Sequence, residues 1–198
     1  MEPDFIGKVE AVLLNQVGSS VSVAVSELRC FVGAGLEGDR HSGRRMVDAR
    51  EDVARHIGLL KGVEIANLRQ FSAVSAEELH DISKQMGSGA DLAYGLLGEN
   101  LVLSGIENFS SLPAGTQLTF AKASTGQPRS VILYITAENN PCSLPGKNIT
   151  EWSADKNIRL KGETFVRSAK GRRGVVGLVK AGGMIEPGDL ALVWLPGS

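Results

Sequence analysis

Short runs in which apolar and polar residues alternate recur along this chain, and turn residues separate them at close intervals. Ser20-Val21-Ser22-Val23-Ala24-Val25-Ser26 alternates strictly, which predicts a half-buried strand with one wet face. Further strands are expected at Gly7–Leu14, near Glu27–Val32, over Val63–Val74, at Leu101-Val102-Leu103 and over Gln117–Ala121. The β-branched, apolar stretch Arg129–Thr136 reads as a strand, as does Val175–Val179. The tail reads as turn, short strand, a Pro187-Gly188 turn and a last strand ending near Trp194. Two segments break this pattern. Ser75-Ala76-Glu77-Glu78 is a capping-box signature, with Ser75 as N-cap, and the helix it opens should run through Leu79 and Ile82 to Met86 and stop at Gly87. His80 falls on its exposed face. Thr150–Ser168 reads as helical with interruptions, weakened in the middle by Gly162.

Strands therefore outnumber helices, and most connections are too short for regular βαβ crossovers. The expected fold is mainly β: a closed or nearly closed antiparallel β-barrel with a few inserted helices. With 198 residues, one domain spanning 1–198 is expected. Composition narrows the function classes. The formal net charge of -1 gives no reason to expect nucleic acid as a partner, so any anion site must be local. No apolar run is long enough to span a membrane, and the start lacks the basic and apolar regions of a secretory signal, so a reducing cytoplasm is the expected location. Cys30 and Cys142 are accordingly read as thiols. Cys30 lies in an alternating run and reads as packing.

Candidate chemistry concentrates in a few places. Ala137-Glu138-Asn139-Asn140-Pro141-Cys142-Ser143-Leu144 follows the Arg129–Thr136 strand, with Pro145-Gly146 expected to close a loop. A thiol there is held by a rigid strand yet reachable, and a thiolate is a nucleophile, a soft metal ligand and a sulfur carrier. Gly33–Gly43 is rich enough in glycine for backbone N–H groups to approach a ligand, and it carries Asp39, Arg40 and His41 together. Asn100 stands at a turn–strand junction, where its amide can donate and accept. Arg172 and Arg173, between Gly171 and Gly174, form a compact cationic corner suited to phosphate or carboxylate. The charge-rich segment 44–57 reads as a solvated face on a short helix or lid. Other chemistries find no support. The histidines have no zinc spacing with the cysteines, there is no Gly-x-Ser-x-Gly elbow, and with only two cysteines no iron–sulfur Cys cluster is visible.

Four motifs occur in order: Gly35-Leu36-Glu37-Gly38-Asp39-Arg40-His41, Leu97-Gly98-Glu99-Asn100-Leu101, Asn140-Pro141-Cys142, and Gly171-Arg172-Arg173-Gly174 continuing through Gly182-Gly183-Met184-Ile185-Glu186-Pro187-Gly188-Asp189. Together they resemble the MOSC family, named for the C-terminal domain of molybdenum cofactor sulfurase, and specifically its stand-alone bacterial members. Relative to a minimal member, a longer insertion is expected around 44–68. The resemblance implies a β-barrel whose cleft holds the family cysteine, here Cys142. It implies a molybdenum-cofactor-binding protein with Cys142 as the molybdenum ligand, reducing N-hydroxylated compounds as some members do. Two alternatives stay open: a sulfur carrier that holds a persulfide on Cys142 for metal–sulfur cofactor assembly, and a non-catalytic pterin- or anion-binding module. The cofactor implied is molybdopterin. Its phosphate would need cations, for which Arg40, His41, Arg69, Arg172 and Arg173 are the candidates, with Asn100 for a polar edge of the pterin. The implied partners are a small-molecule substrate and an electron-donor or sulfur-donor protein.

Overall fold

The structure is a computed structural model, and it describes residues 2–43, 45–46, 58, 60, 63–158 and 160–197. In chain order the strands are β1 (Phe5–Leu14), β2 (Val23–Ala24), β3 (Leu28–Phe31), β4 (Gly35–Leu36), β5 (Arg45–Met46), β6 (Glu64–Ile65), β7 (Phe71–Ser75), β8 (Leu101–Ser104), β9 (Gln117–Ala121), β10 (Pro128–Glu138), β11 (Val175–Ala181), β12 (Gly183–Ile185) and β13 (Leu190–Trp194). The helices are α1 (Ala76–Gln85), α2 (Ser143–Asp155) and α3 (Phe165–Ser168).

Seven strands close on themselves in the order β1, β13, β9, β10, β11, β7, β8, the last pairing back with β1. All of these pairings are antiparallel except β7 with β8. That exception has a simple cause: parallel neighbours need a crossover, and α1 supplies it between β7 and β8. Alternation builds the interior. Val131, Leu133 and Ile135 of β10 are fully buried, while Ile132, Tyr134 and Thr136 between them are half-buried. They meet Phe71, Phe109, Phe120, Leu118, Val179 and Val193 inside the barrel. A second apolar cluster lies between the barrel wall and the helices, where Leu79, Ile82, Ile149, Phe165 and Leu97 pack together. A three-stranded sheet, β12-β3-β4, adds to this frame, and Cys30 of β3 sits in the barrel core. Burial pushes its thiol up to about 12, which suits packing rather than chemistry.

Ser75 caps α1 as expected, accepting from the Glu78 N–H, and Gly87 follows at φ +80°. Three details differ from the sequence reading. The alternating run at 20–26 contributes only Val23–Ala24, both exposed, because Ser20 and Ser22 leave the sheet: the Ser20 hydroxyl donates to Asn148 and the Ser22 N–H to the Gly95 carbonyl. The stretch 63–74 forms two separate pieces, β6 and β7. Helix α2 starts immediately after Cys142, so Pro145-Gly146 is helix rather than loop closure. Proline is tolerated there because a first-turn residue has no intrahelical N–H bond to lose. Gly146 is needed for contact, since a Cβ there would lie 2.3 Å from the Gly162 carbonyl oxygen. Of the insertion expected around 44–68, Arg45–Met46 pairs with Glu64–Ile65, and the charge-rich segment 47–57 lies outside the described residues.

Candidate functional site

The end of β10 carries Asn139, Asn140 and Pro141 out of the barrel and sets Cys142 as the N-cap of α2. Its backbone is extended, at φ −128° and ψ 174°, and its side chain does not cap the helix. Cys142 is exposed and forms no disulfide. It opens into a cavity of about 500 Å³, a volume in the range that holds small ligands and cofactors. Five other segments supply the remaining wall: the connection between β1 and β2 gives Ser20, the loop after β4 gives Arg40 and His41, the approach to β7 gives Asn67 and Arg69, the turn before β8 gives Gly98, and the approach to β11 gives Arg173.

Arg173 is the most telling of these. It is 6% exposed. Its Nη2 donates to the Leu97 carbonyl at 2.5 Å, and its Nη1 is buried without a partner. Burial holds this guanidinium below its ordinary pKa, against the pull of Glu99 and Cys142. Glu99 is fully buried behind it and accepts the N–H groups of Gly95 at 2.5 Å and Leu97 at 3.1 Å. Burial likewise raises the Glu99 carboxyl, outweighing those bonds and the attraction of Arg173. Desolvation thus dominates both partners, and a negative ligand at Nη1 would supply the compensation that Glu99 alone does not. Gly174 lets the turn that carries Arg173 pack directly against β7. It adopts φ +85°, and a Cβ there would lie 1.9 Å from the Ala73 carbonyl oxygen.

Arg69 donates from Nη2 to Asn139 Oδ1 at 2.8 Å, tying two walls together. Arg40 is exposed and donates from Nη1 to the Ser19 carbonyl at 2.7 Å. His41 is held by Asp39, whose side chain is fully buried: Nδ1 lies 3.0 Å from Asp39 Oδ1, and the His41 N–H donates to the same oxygen at 2.8 Å. Oδ2 accepts from the Asn15 N–H at 3.0 Å and from Asn100 Nδ2 at 2.7 Å. Burial raises the Asp39 carboxyl, but the hydrogen bonds from His41, Asn15 and Asn100 more than reverse this and hold it below its ordinary value.

The fold thus brings Cys142, Arg40, His41, Arg69 and Arg173 to one cavity. It does not bring Asn100 or Arg172 there. Asn100 is 1% exposed and lies beneath the wall, bonding Asp39, the Leu13 carbonyl and the Ser72 N–H; it is a structural tie rather than a pterin edge. Arg172 faces a separate, acid-lined hollow with Glu77, Glu78 and Asp81, because adjacent residues in the Gly171–Gly174 turn point apart. Asp39, Asn67, Asn139 and Glu99 are the supporting residues that sequence reasoning missed. Asp39 stood beside Arg40 and His41 in the glycine-rich loop, and nothing local marks it as the buried member of the three. Among the described residues no three His, Cys, Asp or Glu side chains converge on a metal. A metal carried to Cys142 within a larger ligand would find anchoring groups in the same cavity, and the Arg173 guanidinium, one nitrogen of which is unpartnered, suits the anionic end of such a ligand.

A barrel of this topology with a cysteine at its cleft defines a class, and the chain belongs to the MOSC domain family: the family model matches residues 61–191. It is 33% identical to YuaD of Bacillus subtilis over 183 residues, covering 92% of this chain and 87% of that protein, which is named for metal–sulfur cluster biosynthesis. The crystal structure of YuaD superposes with a TM-score of 0.82 at 32% identity, covering 95% of each chain. YiiM from Geobacillus stearothermophilus, at 15% identity, shares the fold with a TM-score of 0.53 over 94% of this chain and 74% of that one.

Proposed function

We propose that Cys142 accepts sulfane sulfur as a persulfide and presents it inside the cationic cavity to a metal–sulfur cofactor whose anionic end docks on Arg173. One observation carries this reading: the exposed Cys142 and the buried Arg173, one of whose guanidinium nitrogens has no hydrogen-bond partner, line the same cavity. The name of the relative YuaD points the same way. Loading is a balanced exchange. The Cys142 thiolate attacks the outer sulfur of a donor persulfide, the donor S–S bond breaks, a new S–S bond forms on Cys142, and the donor leaves as a thiolate. Onward transfer to an acceptor thiolate repeats the step; release as sulfide takes two electrons from a thiol reductant.

A second reading is favoured by the donor set: a single soft thiolate beside an anion-binding arginine also suits molybdenum carried on a phosphate-bearing pterin. In that case Cys142 would ligate the metal, Arg173, Arg69 and Arg40 would hold the phosphate, and the bound cofactor would supply two-electron redox chemistry toward N-hydroxylated substrates, fed by a partner protein. Intact mass and metal analysis separate the two. Wild-type protein incubated with glutathione persulfide gains one sulfur atom under the first reading, and Cys142→Ala does not. Protein made in a molybdenum-competent host retains stoichiometric molybdenum under the second, again lost in Cys142→Ala. Sulfur uptake that survives Cys142→Ala overturns the first reading.

A further inference from the structure

The Asp39–His41 arrangement is more than the loop needs. The His41 backbone N–H already ties the loop to Asp39, and the Asn67 side chain donates to the His41 carbonyl. The ring contact adds orientation instead. Asp39 is ionised and ringed by donors, so the neutral His41 ring must carry its proton on Nδ1 to bond it. Nε2 is then left as a lone-pair acceptor on a ring about one-third exposed, in the same cavity as Cys142. We propose that His41, oriented by Asp39, takes and returns the proton of sulfur exchange at Cys142, with Asp39 as its positioning residue. This inference rests on the sulfur-carrier reading.

The proton bookkeeping closes. Nε2 removes the Cys142 thiol proton, and the resulting thiolate attacks the outer sulfur of the donor persulfide. The donor thiolate leaves, and the His41 imidazolium protonates it. The net change is donor persulfide plus Cys142 thiol giving Cys142 persulfide plus donor thiol, with no oxidant or reductant consumed. The charged and titratable groups around the ring are Asp39, which contacts it from beneath the wall, and, lining the same cavity, Arg40 from its own loop, Arg69 from the approach to β7, Arg173 from the approach to β11, and Cys142 at the head of α2. Asp39 alone among them contacts the ring as an anion, so it is the group that offsets the imidazolium formed mid-reaction.

The test is single-turnover loading by glutathione persulfide, quenched in acid and read by intact mass. His41→Ala should slow loading about 100-fold, and added imidazole should restore part of the rate in proportion to its concentration, which a merely structural loss would not allow. Asp39→Asn, which loses the charge and must turn its N–H₂ toward either the ring or the Asn15 and Asn100 donors, should slow loading about tenfold while leaving the response of its rate to imidazole weak. His41→Ala carries the test alone if the Asp39 variant fails to fold. Loading by His41→Ala within about twofold of wild type, or no rescue by imidazole, overturns the inference. Failure of the wild type itself to load overturns the carrier reading and the inference with it.

Discussion

Replacing Arg173 with Met tests whether the cavity is built for an anion. The change removes the charged hydrogen bond to the Leu97 carbonyl, a contribution of about 1.5–3 kcal/mol to stability. It also removes a buried guanidinium whose burial penalty is of order several kcal/mol, only partly met by Glu99. Glu99 can follow by taking up a proton, since its carboxyl already lies above its ordinary value. The two effects oppose, and Met keeps much of the volume. The net loss should stay within about 2 kcal/mol, or roughly 4–8 °C in Tm for a chain of this size. Anion binding should respond far more. Truncating a buried charge that pairs with a ligand costs about 2–5 kcal/mol, and at about 1.4 kcal/mol per decade this is about 30-fold to a few thousandfold in Kd. Inorganic phosphate serves as the probe, by calorimetry and by the phosphate-dependent rise in Tm. A folded Arg173→Met protein that binds phosphate within about threefold of wild type would refute the argument from the unpartnered Nη1.

Arg172→Ala should leave phosphate affinity within about twofold, since the Arg172 side chain faces another hollow and its charge is screened at a distance; a loss matching that of Arg173→Met would place both arginines in one site. Gly174→Ala should cost about 2–4 kcal/mol in urea denaturation, because its Cβ would collide with the Ala73 carbonyl at a φ of +85°, and a cost near zero would mean the β7–β11 seam moves freely. In the folded state Asp39 titrates below its ordinary value, so its contribution is complete above that value and is lost as pH falls through the lower folded one; urea midpoints between about pH 5 and about pH 2 should fall less steeply in Asp39→Asn. Thiol titration of the folded protein should find Cys142 fast and Cys30 protected until unfolding, and a fast-reacting thiol in Cys142→Ser would contradict the burial of Cys30.

Local patterns carried much of the fold. The Ser75–Gly87 helix and the strands at 101–104, 117–121 and 128–138 follow from capping, turn residues and period-two alternation, all of which act within a few residues. The start of α2 was hidden for the opposite reason: Pro and Gly usually signal a turn, and only the packing of Gly146 on Gly162 shows why they sit inside a helix. The strand expected at 20–26 shrank because its serines found partners on Asn148 and Gly95, distant in sequence.

Residue chemistry alone marked the cysteine, the glycine-bounded arginines and the Asp-Arg-His run as reactive material, because thiol, guanidinium and imidazole keep their character in any fold. Which of them share a cavity was decided by barrel closure. A turn at Gly171–Gly174 sends one arginine inward beside Glu99 and its neighbour outward toward Glu78, and no one-dimensional pattern distinguishes the two. Burial did the rest, turning Asn100 from a ligand candidate, and Asp39 from one more polar residue of a glycine-rich loop, into the struts behind His41, since a polar group removed from water is held by whatever donors and acceptors the tertiary structure places around it.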